Sequence, residues 1–445
     1  MAEARVFVCQ NCGNEFSRWA GKCDACGEWN SLKEANKKDI EALKKVEGVI
    51  QQDVKVKKLS QAENVGERIS SGLGECDRVL GGGLVKGSLV LLGGEPGIGK
   101  STLTLQLASQ VAQNNKVLYV SGEESLGQVA ARAKRLEAND NIDFVDTVLL
   151  EGMKKVISEG DYNLVIVDSV QTMVSGEITQ TMGSISQIKY CVYNLMQLAK
   201  ANNITFILIG HVTKDGEVAG PKILEHLVDV VVYFEGERTG NMRILRVLKN
   251  RYGSSDETGV MIMTEKGLLG VESVSKLLLK ERQAGIPGSV LTVAMEGSRP
   301  FLVEFQAIVD RTNYGNPRRT CVGFDNNRLN MLLAVLSKRV GLDVTDKDVY
   351  LNVVGGFKIR DRAADAAVVT AIASVMLNKP VAAEAVVLGE IGLLGEMRRV
   401  GSLNKRVNEA VSFGYNTVLG AGESDLAGFN RVTNVKQLFD KCFGK

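Results

Sequence analysis

Nowhere in this 445-residue chain does an apolar run approach the ~20 residues that a membrane-spanning helix needs. The opening MAEARVFVCQ has no basic segment followed by an apolar one, so no secretory leader is read there. Both absences give the expectation of a cytoplasmic protein with no membrane partner. A charge bias is missing too. Formal net charge is +2, so a polyanion would have to be met by a local patch, and the bulk field neither favours nor excludes nucleic acid. Internal repeats and low-complexity tracts are absent, and 44% apolar with 24% charged residues is ordinary for about two or three globular domains. Histidine is scarce, at two residues, and cysteine numbers eight.

The cysteines fall into two groups. Cys76, Cys191, Cys321 and Cys442 stand singly and read as buried thiols, while Cys9, Cys12, Cys23 and Cys26 crowd the N-terminus. Two C-x-x-C knuckles ten residues apart let four thiolates converge tetrahedrally on Zn2+, whereas a redox motif needs one pair in an α/β setting. Four thiolates leave no open position, so the metal is structural and its binding folds a module of residues 1–32, too short for a core of its own. Around it Asn14, Arg18, Lys22 and Trp29 are as available to DNA or a protein partner as to solvent.

Residues 94–101 read GEPGIGKS, a complete phosphate-binding loop. Glycines let successive amides fold around a β-phosphate, Lys100 reaches the β/γ oxygens, and the Ser101 hydroxyl ligates Mg2+. The context agrees: residues 88–92 read as a strand, and Leu103, Leu107 and Val111 recur on one helical face. ATP contacts are therefore expected from Gly94, Glu95, Pro96, Gly97, Ile98, Gly99, Lys100, Ser101 and Thr102.

Residues 33–66 are dense in lysine and acid, without proline, and read as a charged linker with some helix. From 67 to 270 apolar runs at 117–120, 164–167, 204–209, 228–234, 244–248 and 260–263 alternate with helical patterns. That alternation predicts a mostly parallel sheet covered by helices on both faces, with an antiparallel extension where the last strands crowd together. ERQAGIPG at 281–288 breaks the pattern, and residues 271–445 form a second α/β domain, with strands at 290–295 and 301–309 and helices at 326–339 and 362–376.

Four apolar residues end in Asp168, a strand delivering a carboxylate beside the Mg2+ shell. Another strand runs into Ser121-Gly122-Glu123-Glu124, at the sheet edge where open α/β folds bind ligands. Glu123, or Glu124 in its stead, is placed to deprotonate the attacking water, although two acids also suit a helix start. His211 ends a further strand and is placed to sense phosphate; His226, in KILEHLVD, reads as a packing residue.

In their wording and order, RWAGKCDACGEWNS, LGGGLVKGSLVLLGGEPGIGKSTL, YVSGEES, GHVTKDGEVAGPKILEHLVD and KNRYG at 249–253 resemble the bacterial DNA repair and recombination ATPases called RadA or Sms, relatives of RecA. The likeness covers essentially the whole chain, with Tyr252 where the family usually has Phe. It implies a RecA-like P-loop ATPase core between a zinc module and a C-terminal domain similar to Lon protease. It further implies a hexameric ring on single-stranded and branched DNA, extending branches in homologous recombination with a RecA-type recombinase. Lys249 and Arg251 would then reach the phosphate held by a neighbouring subunit. Lys214 and Lys222, in the glycine-containing loop after His211, are expected to contact DNA.

The resemblance to Lon raises a peptidase. Residue by residue, Ala363 stands where Lon has its serine and Asn404 where it has its lysine, so the dyad is missing. Ser374 or Ser402 with Lys405 is the only relocated dyad on offer, and nothing in the sequence favours it. Arg318, Arg319, Arg328, Lys338, Arg339, Lys358, Arg360 and Arg362 instead suggest a positive face for a DNA backbone. Three classes stand at this point: a DNA motor, an ATP-dependent Lon-type protease, and a KaiC-like regulatory ATPase.

Overall fold

The computed structural model describes residues 6–9, 15–24, 27–35, 66–211, 224–236, 240–312 and 315–444. Cys12, Cys26, Asn14, Lys214 and Lys222 lie outside them, as does nearly all of the 33–66 segment. The chain divides into two compact units, Met1–Gly270 and Val271–Lys445.

At the N-terminus β1 (Val6–Cys9), β2 (Glu15–Phe16) and β3 (Leu32–Ala35) form an antiparallel sheet in the order β2-β1-β3. Its core is small: Cys9, Cys23 and Leu32 are buried together, with Phe7, Phe16 and Ala20 packed on them. One cysteine of each knuckle thus shares a single interior, the arrangement a structural metal requires.

Residues 66–270 build one large sheet. β4 (Arg68–Ile69) and β5 (Leu84–Val85) pair as a small ribbon on either side, in sequence, of α1 (Gly74–Leu80). The main strands are β6 (Leu89–Gly94), β7 (Val117–Ser121), β8 (Ile142–Asp146), β9 (Leu164–Asp168), β10 (Thr205–His211), β11 (Val230–Glu235), β12 (Met242–Asn250), β13 (Thr258–Thr264) and β14 (Gly267–Gly270). They lie in the order β14-β13-β12-β11-β6-β10-β9-β7-β8. The strands from β8 to β11 run parallel, their crossovers carrying α2 (Lys100–Val111), α3 (Leu126–Arg135), α4 (Leu150–Glu159) and α5 (Ile185–Asn202). From β11 onward the links are short and pairing turns antiparallel, as hairpins must.

Side-chain alternation divides the interior in two. Val90 and Leu92 of β6 meet Leu103, Leu107 and Val111 of α2, while Leu89 and Leu91 meet Ile188, Val192 and Leu195 of α5. Burial on both faces is why these strands are continuous apolar runs rather than alternating ones. Register then sets the functional edge: His211 pairs with Gly94 and Ser121 with Asp168, while Leu208 pairs with both Leu91 and Val167, so β7 and β9 end two residues before β6 and β10 on the same side of the sheet.

The second unit holds a seven-stranded sheet ordered β17-β18-β16-β15-β19-β22-β23. Its strands are β15 (Ser289–Glu296), β16 (Arg299–Arg311), β17 (Arg319–Val322), β18 (Lys347–Val353), β19 (Ala385–Leu388), β22 (Thr417–Gly420) and β23 (Phe429–Arg431), with β20 (Glu390–Ile391) and β21 (Met397–Arg398) as a separate hairpin. The helices are α6 (Val274–Leu279), α7 (Asn326–Val335), α8 (Asp365–Leu377), α9 (Leu403–Ser412) and α10 (Val435–Phe443). The helix read to residue 339 is α only to Val335; it continues as a π turn, Leu336–Val340, that stops at Gly341 with φ 86°. From Asp365 to Ser374 α8 is wholly buried, which suits its apolar surface on all sides.

Two expectations fail here. Cys321 is only half-buried, because it sits on edge strand β17, whereas Cys76, Cys191 and Cys442 are buried. Arg328 does not belong to an open basic face: its guanidinium grips both oxygens of the fully buried Asp365, which also accepts from the Ile391 amide at 3.1 Å. Burial raises the Asp365 pKa and the Arg328 contacts oppose that rise. Truncating Arg328 strands a buried carboxylate, so Arg328→Ala should destabilise this unit by ~3–5 kcal/mol in denaturant titration. Arg319→Ala, at an exposed position, should stay within about 0.5 kcal/mol.

Candidate nucleotide site

The loop between β6 and α2 is shaped by two close constraints. Gly99 has φ 111°, and a Cβ there would meet the Met263 methyl at 2.5 Å; a Cβ on Gly94 would meet the Phe234 carbonyl oxygen at 2.5 Å. Neither position admits a side chain without displacement. Glu95 is half-buried, Pro96 and Gly97 are exposed, and Ile98 turns inward, where Arg243 donates to its carbonyl at 3.1 Å. Ser101 is half-buried at the helix start and Thr102 is buried.

Lys100 is 4% exposed. Its ammonium donates to the carbonyls of Gly94 at 2.9 Å and Glu95 at 3.0 Å and lies 3.1 Å from His211 Nδ1. Burial pulls its pKa down to about 8, against the pull of Asp168 and Glu123. A desolvated cation held by neutral carbonyls fits a polyphosphate, which would supply the negative charge that the site withholds.

Asp168, at the end of β9, is 3% exposed and accepts from the Tyr119 hydroxyl at 2.8 Å. Burial raises its pKa, while hydrogen bonds from Ser101 and Tyr119 lower it. Ser101 and Asp168 are therefore adjacent oxygen donors of the hard kind Mg2+ takes. Glu123 accepts from the Ser169 hydroxyl and lies 3.4 Å from His211 Nε2, and the contact with His211 is the main reason its pKa falls. Glu124 differs: Arg132 holds it through two bonds of 2.6 and 2.5 Å. Glu124 is thereby engaged by a cation, whereas Glu123 faces His211 and Ser169.

Lys249 and Arg251 come together, but not at this loop. Lys249 donates to the carbonyls of Glu225 and Val228, both at 2.7 Å, and Arg251 pairs with Asp229 at 3.1 Å. Val231, beside Lys249, pairs with Leu91, whereas Gly94 pairs with Phe234, so the two cations sit toward the opposite end of the sheet. Along the strands that offset is roughly 10 Å. His226, expected to pack, is exposed and lends only its carbonyl to Lys249, at 3.4 Å.

Tyr119, Arg243, Ser169 and Arg132 were not singled out in the sequence. Arg243 had a signal: it occupies the inward phase of β12 with Leu245 and Val247, where arginine is costly without a purpose. Tyr119 stands likewise as the one hydroxyl inside the run Val117–Val120 of β7, completely buried.

In the second unit Ala363 and Asn404 stand at the positions compared with Lon's dyad. Ala363 is buried among Leu302, Val386, Leu403 and Val407, while Asn404 is exposed and accepts from Ser424 at 3.0 Å. Ser374 is buried, donating to the Lys379 carbonyl at 2.5 Å and accepting from the Gly288 amide at 3.0 Å. Ser402 and Lys405 are both exposed. Arg318 and Arg319 are exposed at edge strand β17, and Lys358, Arg360 and Arg362 line a cavity of about 520 Å³ with Asp361 and Arg328.

A family model described as an AAA domain matches residues 61–217, and one described as a rubredoxin metal binding domain matches residues 7–34. Among solved structures, a KaiC-like protein from Pyrococcus horikoshii OT3 aligns with 46% of this chain and 100% of its own, at 18% identity and TM-score 0.39. The DNA repair protein RadA of Bacillus subtilis (strain 168) is 46% identical over 93% of this chain and 91% of its own. RadA of Campylobacter jejuni is 45% identical over 91% of each chain, and RadA of Rickettsia bellii 44% over 95% of each. At that identity over more than nine-tenths of both chains, the chain belongs to the RadA family of DNA repair ATPases.

Proposed function

We propose that this protein is an ATP-driven DNA motor, a helicase or branch-migration factor acting with a RecA-type recombinase on single-stranded and branched DNA in the cytoplasm. The observation that carries the reading is the buried Lys100 ammonium, poised between its own loop and the His211–Glu123 pair. Lys100 and the loop 94–102 bind the ATP phosphates; Ser101 and Asp168 are the residues that would hold Mg2+, which when bound draws charge from the phosphate oxygens. Glu123 takes the proton of the attacking water, Ser169 fixing its carboxylate. His211 touches both Lys100 and Glu123, so loss of the γ-phosphate is felt on strand β10, directly before the loop that carries Lys214 and Lys222. Zn2+ on Cys9, Cys12, Cys23 and Cys26 staples the ribbon. Arg318 and Arg319 offer the second unit's contact to a DNA backbone.

The cations Lys249 and Arg251 complete the site of the next subunit in a homo-oligomeric ring, which we take as hexameric. The supporting observation is their offset from their own Gly94, which leaves no route to their own nucleotide.

Lys100→Ala should abolish ATP hydrolysis and DNA branch extension while circular dichroism and gel filtration stay as in the parent; unchanged turnover would sink the assignment. ATPase activity that does not respond to DNA at low salt would favour the KaiC-like regulatory reading instead. The shared site is open to a mixing experiment. Lys249→Ala and Lys100→Ala chains, each inactive alone, should recover activity when mixed, because hybrid interfaces pair an intact loop with an intact finger; no recovery speaks against action in trans.

The pH dependence has a definite sign. Below pH 8 Lys100 is charged before nucleotide arrives, so affinity should be flat. Above it a proton must be taken up on binding, and Kd should rise about tenfold per pH unit. Titration with a fluorescent ATP analogue at fixed Mg2+ measures this, and buffer-dependent heats should show proton uptake.

A further inference from the structure

The chain has two tryptophans, and both are on the ribbon's surface: Trp19 is 55% exposed and Trp29 67%. Indoles that open to water on so small a module do not stabilise it by burial. Among the described ribbon residues they are the only large apolar side chains exposed, so they do not belong to a wider aliphatic patch. Nor are they loosely placed. Lys22 and Trp29 form an antiparallel bridge, the Asn30 amide donates to the Gly21 carbonyl at 2.7 Å, and Cys23 and Gly27 close the turn between them at 2.8 Å.

Gly21 lies between the rings. A Cβ built there would sit 3.8 Å from Trp19 Cη2 and 4.0 Å from Trp29 Cζ3, so the six-membered edges of both indoles flank one narrow strip of backbone without a side chain. Lys22 places its ammonium 5.6 Å from the Trp29 centroid, and Arg18 and Lys33 are exposed nearby in sequence. Two exposed indoles flanking a bare backbone strip, with a cation over one ring and others close in sequence, is the composition of a stacking platform for unpaired bases: rings take the bases, cations the phosphates. Duplex DNA keeps its base faces covered and would not use it.

We propose that Trp19 and Trp29 form a base-stacking site through which the zinc ribbon grips single-stranded nucleic acid. The inference rests on the DNA-binding role above and deepens it by assigning the ribbon a share of that role.

Because no other tryptophan is present, tryptophan emission from the full-length protein reports on this site alone. Titration with oligothymidylate should quench that emission, with the same midpoint as the anisotropy rise of a fluorescein-labelled copy. Trp19→Ala and Trp29→Ala should each weaken single-strand affinity roughly tenfold and leave duplex affinity within about twofold. Trp19→Phe and Trp29→Phe keep a π-face and should retain most of it; zinc content measured on every variant separates loss of stacking from loss of the ribbon. Binding seen by anisotropy with no quenching, or alanine variants that bind as the parent does, overturns the stacking site while the DNA role stands. No binding of any DNA overturns both. Quenching by a recombinase but not by oligothymidylate would reassign the platform to a protein and overturn the proposal.

Discussion

One buried ammonium sets the terms for the ATPase unit. A cation out of water, given two carbonyls and an imidazole, is under-compensated, since the carboxylates of Asp168 and Glu123 support it only at longer range. Whatever surrounds Lys100 has to be held stiffly enough that it does not simply swing back to solvent. The strand ends do this, because Gly94 with His211 and Asp168 with Ser121 are neighbours by register rather than by loop conformation. Arg243 braces the loop from the other side at the Ile98 carbonyl, and Tyr119 pins the Asp168 carboxylate from within the core. The site is thus an edge of the sheet, and the apolar runs behind it make that edge rigid.

The same burial explains what could be read without coordinates. Strands covered on both faces must be apolar throughout, so β6, β7, β9 and β10 stand out as runs, and Ser121, Asp168 and His211 at the ends of β7, β9 and β10 mark the functional edge. β8 and β17 are partly exposed and leave no such run; neither was legible. Partnership was harder still. Glu123 and Glu124 are equivalent on paper, and only the position of Arg132 on α3, which pairs with Glu124, distinguishes them. Tyr119 and Asp168 are far apart in the chain and face each other only because β7 and β9 are adjacent in the sheet.

In the second unit the sequence shows arginines but not their employment. Arg328 and Arg406 are consumed by Asp365 and Asp361, and Arg406 also donates to the Val293 carbonyl at 2.7 Å. Arg319, Arg360 and Arg362 remain exposed. A basic composition therefore overstates the surface charge, and Arg328 and Arg406 are not among the cations available to a polyanion. The dyad positions tell a parallel story: the Ala363 side chain is buried in an apolar cluster and carries no nucleophile.

Topology finally bears on assembly. Glu123, Asp168 and Lys100 lie at the carboxyl ends of parallel strands, and Lys249 with Arg251 lies toward their amino ends. No hinge within one sheet can bring opposite ends together, because the strands between them are the rigid core. Under the proposed shared site, one subunit must present its amino-end cations to the carboxyl-end edge of the next. Such a contact joins two different surfaces and is heterologous, so it propagates around a ring or along a filament and cannot close as a two-fold dimer. Lys249 and Arg251 are meanwhile held by their own 225–229 turn, which fixes two cations side by side before any neighbour arrives and lowers the ordering cost of completing the site.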